Sequence, residues 1–350
     1  MANNSVAHYF TNPSRRTVGL DLTGRYLRHV RLKRRGGAVA VVGFGQGPEL
    51  TSVIQHGAVV DRPGLTALIR ETIGSARVSS AVIVIPERHV FIKTFDLPST
   101  QTSDLAEAVR WEASQYIPFD MNELYLDWRV ASQDNARRIT VTAAPRLVVD
   151  DFTFAVEAAG LTPLAVEGAS YACLRVLRAT RPQSTTVMAV HLGEIESTAL
   201  LLEQGTPIFS AAVNETTAAL ERVLSARFSL SPSEAHEARV LLGFSSQRAY
   251  GLVRKVLLDE LRKLTTRINE IVSFHNEHAL TDDPLSEIVV AGPGSETVGL
   301  GEVLSQEIHI PSGVLPAWPH LQLTSHTKKF ADDYQSYLIA LSAAARTLTS

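Results

Sequence analysis

A strand–turn–strand–turn–strand pattern occurs twice in this chain, 170 residues apart, and that repetition restricts its possible folds more than any other feature. In the first copy Val18, Leu20 and Leu22 alternate with Gly19, Asp21 and Thr23, the period of two that marks a strand. Thr23-Gly24-Arg25 follows as a turn, with Gly24 placed to supply the positive φ of a tight hairpin. A second strand is expected over Tyr26–Lys33, a turn at Gly36-Gly37, and a third strand over Ala38–Phe44. The second copy runs from Val187 through a turn at Gly193, a second strand, a turn at Gly205 and a third strand over Pro207–Val213. Asp21 and His191 occupy equivalent places. Helices follow each triplet, so the pattern predicts an α/β fold of two similar lobes produced by duplication.

Between the copies, strands are expected near 81–85, 89–95, 124–131, 138–144 and 164–166. Helices are expected from Ser103 or Asp104 to Pro118, over Val148–Ala159 and over Ser170–Ala179. The polar run Arg181–Thr186 reads as a boundary near residue 183. Beyond the second triplet come helices over Thr216–Arg227, Glu234–Leu241 (capped by Ser233), Tyr250–His275, Val298–Glu307 and Asp332–Thr347, with a strand over Ile288–Ala291. A net charge of −3 argues against nucleic acid as a ligand. No apolar run approaches the ~18 residues of a membrane span, and residues 1–16 read as a flexible lead-in without signal-peptide character. The expected location is therefore the cytoplasm. The single cysteine, Cys173, reads as a small buried apolar residue.

Three turns could carry chemistry: Asp21–Gly24, His191–Glu194 and Ala291–Ser295. Glycine-containing turns can aim backbone N–H groups at phosphates, and a nearby carboxylate can hold hydrated Mg²⁺. Two such hairpins facing each other could clamp a nucleotide. His29, His89, His275, His278 and His309 are scattered, without metal-ligand spacing, and read as structural. Arg31-Leu-Lys-Arg-Arg35 is a basic cluster at a strand end, read either as a solvated turn or as a contact for anionic lipid headgroups.

Several stretches, in this order, resemble the PilM family of actin-like type IV pilus proteins. They are Val82-Ile-Val-Ile-Pro86, Lys93-Thr-Phe-Asp-Leu-Pro98, Trp111-Glu-Ala-Ser-Gln-Tyr-Ile-Pro-Phe119, Val148-Val-Asp-Asp-Phe152 with Ala158-Ala-Gly-Leu161, and Ser229-Leu-Ser-Pro-Ser-Glu-Ala235. The resemblance implies an actin/Hsp70-like two-lobed core with an inserted small α+β domain. Residues 17–81, 166–183 and 332–350 would form the first lobe, 82–165 the inserted domain and 184–331 the second lobe. The family's nucleotide loops fall on Asp21, Thr23 and Gly24; on His191 and Gly193; on Thr216 and Thr217; and on Gly292 and Gly294. Each departs from the family pattern. Thr23 adds a β-carbon, His191 replaces a carboxylate, Thr216-Thr217 replaces two glycines, and Pro293 removes a donor. These departures predict that hydrolysis is lost and that binding of ATP and Mg²⁺ is weak or absent, with no catalytic or metal-ligating residue assigned. The implied function is a non-enzymatic scaffold, peripheral at the inner membrane, oligomeric or ring-forming. It would bind the N-terminal tail of a bitopic PilN-like protein and other pilus platform proteins. The alternatives are an ATP-binding switch of the same machine and an FtsA-like division protein.

Overall fold

The structure is a computed structural model that describes residues 16–35, 38–74, 76, 78–98, 105–133, 136–181, 185–278 and 283–348. The expected lead-in up to residue 15, the turn at Gly36-Gly37, the helix cap at Ser103 or Asp104 and the centre of the boundary at 182–184 lie outside the described residues.

In chain order the first elements are β1 (Thr17–Asp21), β2 (Tyr26–Arg35), β3 (Ala38–Glu49), β4 (Ile54–Gln55), β5 (Ala58–Val59), α1 (Arg62–Ile73), β6 (Ser80–Ile85), β7 (Phe91–Pro98), α2 (Leu105–Ser114), β8 (Leu124–Gln133), β9 (Ala136–Pro145), α3 (Arg146–Ala158), β10 (Thr162–Gly168) and α4 (Ala169–Thr180). There follow β11 (Thr186–His191), β12 (Ser197–Glu203), β13 (Thr206–Val213), α5 (Thr217–Phe228), α6 (Pro232–Leu241), α7 (Leu252–His278), β14 (Leu285–Ala291), α8 (Leu300–Ile308), β15 (Ser312–Val314), β16 (Leu321–Leu323) and α9 (Tyr334–Ala345). They group into two compact units. One holds Met1–His89, Arg146–Val176 and Ala317–Ser350; the other holds Val90–Pro145 and Leu177–Pro316.

Each unit contains the same five-strand arrangement. In the first the order is β10-β6-β1-β2-β3, and in the second it is β15-β14-β11-β12-β13. In both, the meander is antiparallel, and two later strands stack beside its first strand in parallel. Parallel neighbours need a crossover, which the helices provide. The duplication seen in the sequence is thus present in the strand order, and both meanders bury their first strand completely.

The inserted segment differs from its expected limits of 82–165. Residues 80–85 pair on both sides, with β1 and β10, so they form a central strand of the first sheet. The helix α3 and strand β10 also belong to the first unit. What remains, 90–145, contributes β7, β9 and β8 to the edge of the second unit's sheet, giving the order β13-β7-β9-β8. The junction is narrow: Phe209 pairs with Lys93, and the Thr94 hydroxyl donates to the Pro207 carbonyl at 2.5 Å. One helix, α2, covers the three added strands, burying Val109 and Ala113 against Phe95, Leu97, Ile139 and Val141. The expected second lobe of 184–331 is also too long, because β16 pairs with β3 in the first sheet.

Helix starts follow their capping chemistry. Asp61 accepts from the Gly64 N–H at 2.9 Å and starts α1 at Arg62, with Pro63 in the first turn. Ser231, not Ser233, caps α6, through a reciprocal box with Glu234 that has Pro232 in the first turn. The helix α7 starts at Leu252 rather than Tyr250, because Ala249 and Tyr250 take left-handed φ values of 46° and 52°. Its apolar stripe (Leu257, Leu261, Leu264, Ile268, Ile271) lies in the second unit's core. Cys173 is buried on α4, and burial, with the charge of Glu87, pushes its thiol up to about 12. Among the described residues no helix is long and apolar enough to cross a membrane.

Candidate functional site

Six of the nine candidate residues meet in the second unit. Strands β11 and β14 run in parallel and end side by side at His191 and Ala291, so the turns that follow are neighbours. The N-terminus of α5 is drawn onto the first turn, with the Thr217 N–H donating to the Gly193 carbonyl at 2.9 Å and Ala218 to Glu194 at 3.3 Å. The second turn is tied to it by Gly294 N–H donating to Leu192 at 2.9 Å. His191, Gly193, Thr216, Thr217, Gly292 and Gly294 therefore surround one point. Asp21, Thr23 and Gly24 occupy the equivalent hairpin of the first unit.

The glycines here make room for the chain's own groups. Gly292 takes φ +79°, and a Cβ on it would lie 2.6 Å from His191 Nε2. A Cβ on Gly294 would lie 2.5 Å from Leu192 Cβ, and one on Gly193 would run into the Glu196 carbonyl. The imidazole of His191, itself buried, thus lies against the Gly292 backbone. The local N–H groups are also engaged. Gly193 donates to Ser197 Oγ at 3.1 Å, Ser295 to the Gly292 carbonyl at 2.9 Å, and Ala219 to Thr216 Oγ1 at 3.3 Å. In the first unit, Asp21 Oδ1 accepts from the Thr23 N–H at 2.9 Å and from its hydroxyl at 2.7 Å, with both residues buried. Thr23 thus uses the carboxylate to close its own turn. Gly24 lies in the bend without the positive φ expected of it.

One residue here carried no sequence signal. Arg239, on α6, is 1% exposed. Its Nη1 donates to the Pro293 carbonyl at 3.1 Å and to Thr297 Oγ1 at 2.8 Å, and its Nε donates to Glu221 Oε1 at 3.0 Å. A buried guanidinium needs such partners on every side. It pins the 292–297 loop to α5 and α6.

The inserted strands present a second feature. Ile117 anchors the Tyr-Ile-Pro-Phe stretch in the core, while Trp111, Tyr116 and Phe119 stand 65%, 51% and 46% exposed. Phe119 meets Phe91 edge-on at 5.4 Å, and Tyr116 stacks on Phe95 at 6.3 Å. The Lys93 ammonium lies 5.2 Å from both the Tyr116 and Phe274 rings, and burial lowers its pKa. Three exposed aromatic side chains on one short segment make a candidate interaction surface.

The duplicated five-strand units define an actin-like ATPase fold. The chain matches EutJ of Carboxydothermus hydrogenoformans with a TM-score of 0.51 at 14% identity, covering 96% of this chain and 92% of that one. It matches MreB5 of Spiroplasma citri, bound to AMPPNP, with a TM-score of 0.51 at 10% identity, covering 96% and 97%. The match to a structure of the PilM-PilN type IV pilus biogenesis complex has a TM-score of 0.80 at 20% identity, covering 96% and 99%. The family model for the type IV pilus assembly protein PilM matches residues 19–348. The chain belongs to the PilM family.

Proposed function

We propose that this protein is a non-catalytic scaffold of a type IV pilus assembly machine that binds the N-terminal cytoplasmic tail of a PilN-like inner-membrane protein. The observation that carries this reading is the family match over 19–348, joined to the likeness in fold to the PilM-PilN complex. Binding to the partner would hold the protein at the inner membrane, where other platform proteins and further copies of the chain could assemble on it. The aromatic surface of the insertion supplies anchors of the kind that dominate peptide recognition. Isothermal titration with a synthetic peptide of the partner's N-terminal tail should give saturable binding. The combined variant Trp111→Ala/Tyr116→Ser/Phe119→Ser should weaken it at least tenfold. No binding to the intact protein would refute the reading, and unchanged binding in the variant would place the site elsewhere.

The family's nucleotide loops, each taken within its own unit, support the non-catalytic half of the proposal. A Mg–triphosphate needs free backbone donors and an acid to orient the metal. Here the donors named above are bonded within the chain, an imidazole lies over Gly292, and Asp21 is taken up by Thr23. These residues do not fit the group. Thermal melts with millimolar Mg-ATP should therefore show no stabilisation, whereas a site with micromolar affinity would add about 4 kcal/mol at a thousandfold excess over Kd. A clear rise in melting temperature would favour an ATP-binding switch instead.

A further inference from the structure

We propose that the basic end of the β1–β2 strand pair is a docking surface for an anionic lipid bilayer. The proposal rests on the reading that the protein works at a membrane. Residues 16–35 hold seven Lys and Arg against one acid, Asp21, in a chain whose net charge is −3, so the remainder carries −9. Asp21 does not offset these cations, because it is buried and bonded to Thr23 at the other end of β1.

The strand register gathers the charge. Val18 pairs with Arg31, so Arg16, two residues earlier on the antiparallel neighbour, comes beside the Lys33 end of β2. Lys33 and Arg35 pair across to Ala40 and Ala38, which bring no countercharge. On the far side β16 begins with Leu321 opposite Val39, which brings His320 to the same end. Arg35, Ala38, His320, Leu321 and Gln322 line an open depression of about 540 Å³. The side chains of Arg16, Lys33 and Arg35 are exposed and make no hydrogen bond or ion pair among the described residues. Arg34, between them, donates to the Leu348 carbonyl. Three cations of α7 behave differently, since Arg262, Lys263 and Arg267 each pair with an acid three residues away.

Like charges held this close repel, and an anionic surface relieves that repulsion. A bilayer's negative potential acts on clusters of Lys and Arg within a Debye length, and it repels the acidic remainder, so one orientation is selected. Nucleic acid is disfavoured because no large exposed aromatic side chain lies on β1, β2, β3 or β16 to stack on a base. Three cations alone make a weak attachment. Added to a tethered tail, they raise the effective affinity through multivalency.

The test is flotation of the full chain, without any partner, on vesicles of equal parts phosphatidylglycerol and phosphatidylcholine at low salt. The protein should float with these vesicles and not with phosphatidylcholine alone, and it should release at about 1 M salt, where the Debye length is about 3 Å. Arg16→Glu/Lys33→Glu/Arg35→Glu should lower the bound fraction at least tenfold. The control variant Arg222→Glu/Arg227→Glu/Lys255→Glu makes the same charge change on exposed positions of the second unit and should leave flotation intact. Equal loss in both variants, or no loss in the first, overturns the assignment. Binding to an oligonucleotide without flotation overturns it in favour of nucleic acid. Tail-peptide titration contains no lipid, so failure of the partner reading and failure of this one appear in separate measurements.

Discussion

Glu167→Ala should destabilise the protein by about 3–5 kcal/mol, the cost of leaving buried charges without their partner. The carboxylate sits at the end of β10 with its side chain 2% exposed. Arg175 grips it with two bonds, Nη1 to Oε1 at 3.0 Å and Nη2 to Oε2 at 2.7 Å, and Arg346 Nη1 adds a third at 2.8 Å. Arg175 Nη1 also donates to the Ser342 carbonyl at 2.6 Å. The cluster therefore ties β10, α4 and the end of α9 together within one unit. Removing the acid leaves one nearly buried guanidinium and one partly buried guanidinium repelling each other. Asp259→Asn, which breaks the exposed pair with Arg262, should change stability by less than about 1 kcal/mol. Urea denaturation of the two variants provides the check. Similar midpoints would mean that the buried cluster contributes no more than a surface pair.

Gly19→Ala should lower stability by about 3 kcal/mol or more, the upper range for overfilling a close-packed site. Gly19 lies in the middle of β1, where α9 crosses the sheet. A Cβ there would fall 2.5 Å from the Ala344 nitrogen and closer still to the Ala340 carbonyl oxygen. Both obstacles are backbone atoms of α9, which is buried from Tyr337 to Ala345, so no rotamer change can relieve the clash. The helix would have to lift away, opening voids along Leu338, Ala343 and the strands below. Gly160→Ala is the comparison. It has nothing within 4 Å of the new methyl group and only its positive φ of +90° to oppose it, so it should cost about 1 kcal/mol. Equal denaturation midpoints would show that α9 can move off β1 at little cost.

The sequence determined the architecture through local signals. Alternation over Val18–Thr23, glycines in the turns and the recurrence of the pattern at Val187 are properties of neighbouring residues, and they suffice to reveal a duplicated α/β core. The whole-chain family pattern was legible for the same reason, since it lies in short contiguous stretches such as Trp111–Phe119. Asp21 and His191 could be placed at equivalent turns from the repeat alone.

Tertiary structure decided everything that depends on which strand lies beside which. Alternation reports the face a residue turns to, while ladder hydrogen bonds are made by backbone groups common to all residues, so pairing leaves little trace in composition. That is why residues 82–85 read as the start of an insertion, although they pair with β1 and β10, and why nothing in 90–145 announced that these strands would extend the sheet beyond β13. The burial of Arg239 and Glu167 depends on partners 54 and 179 residues away along the chain. Within its own segment each reads as an ordinary charged surface residue, because what makes a buried charge tolerable is supplied only when distant elements meet.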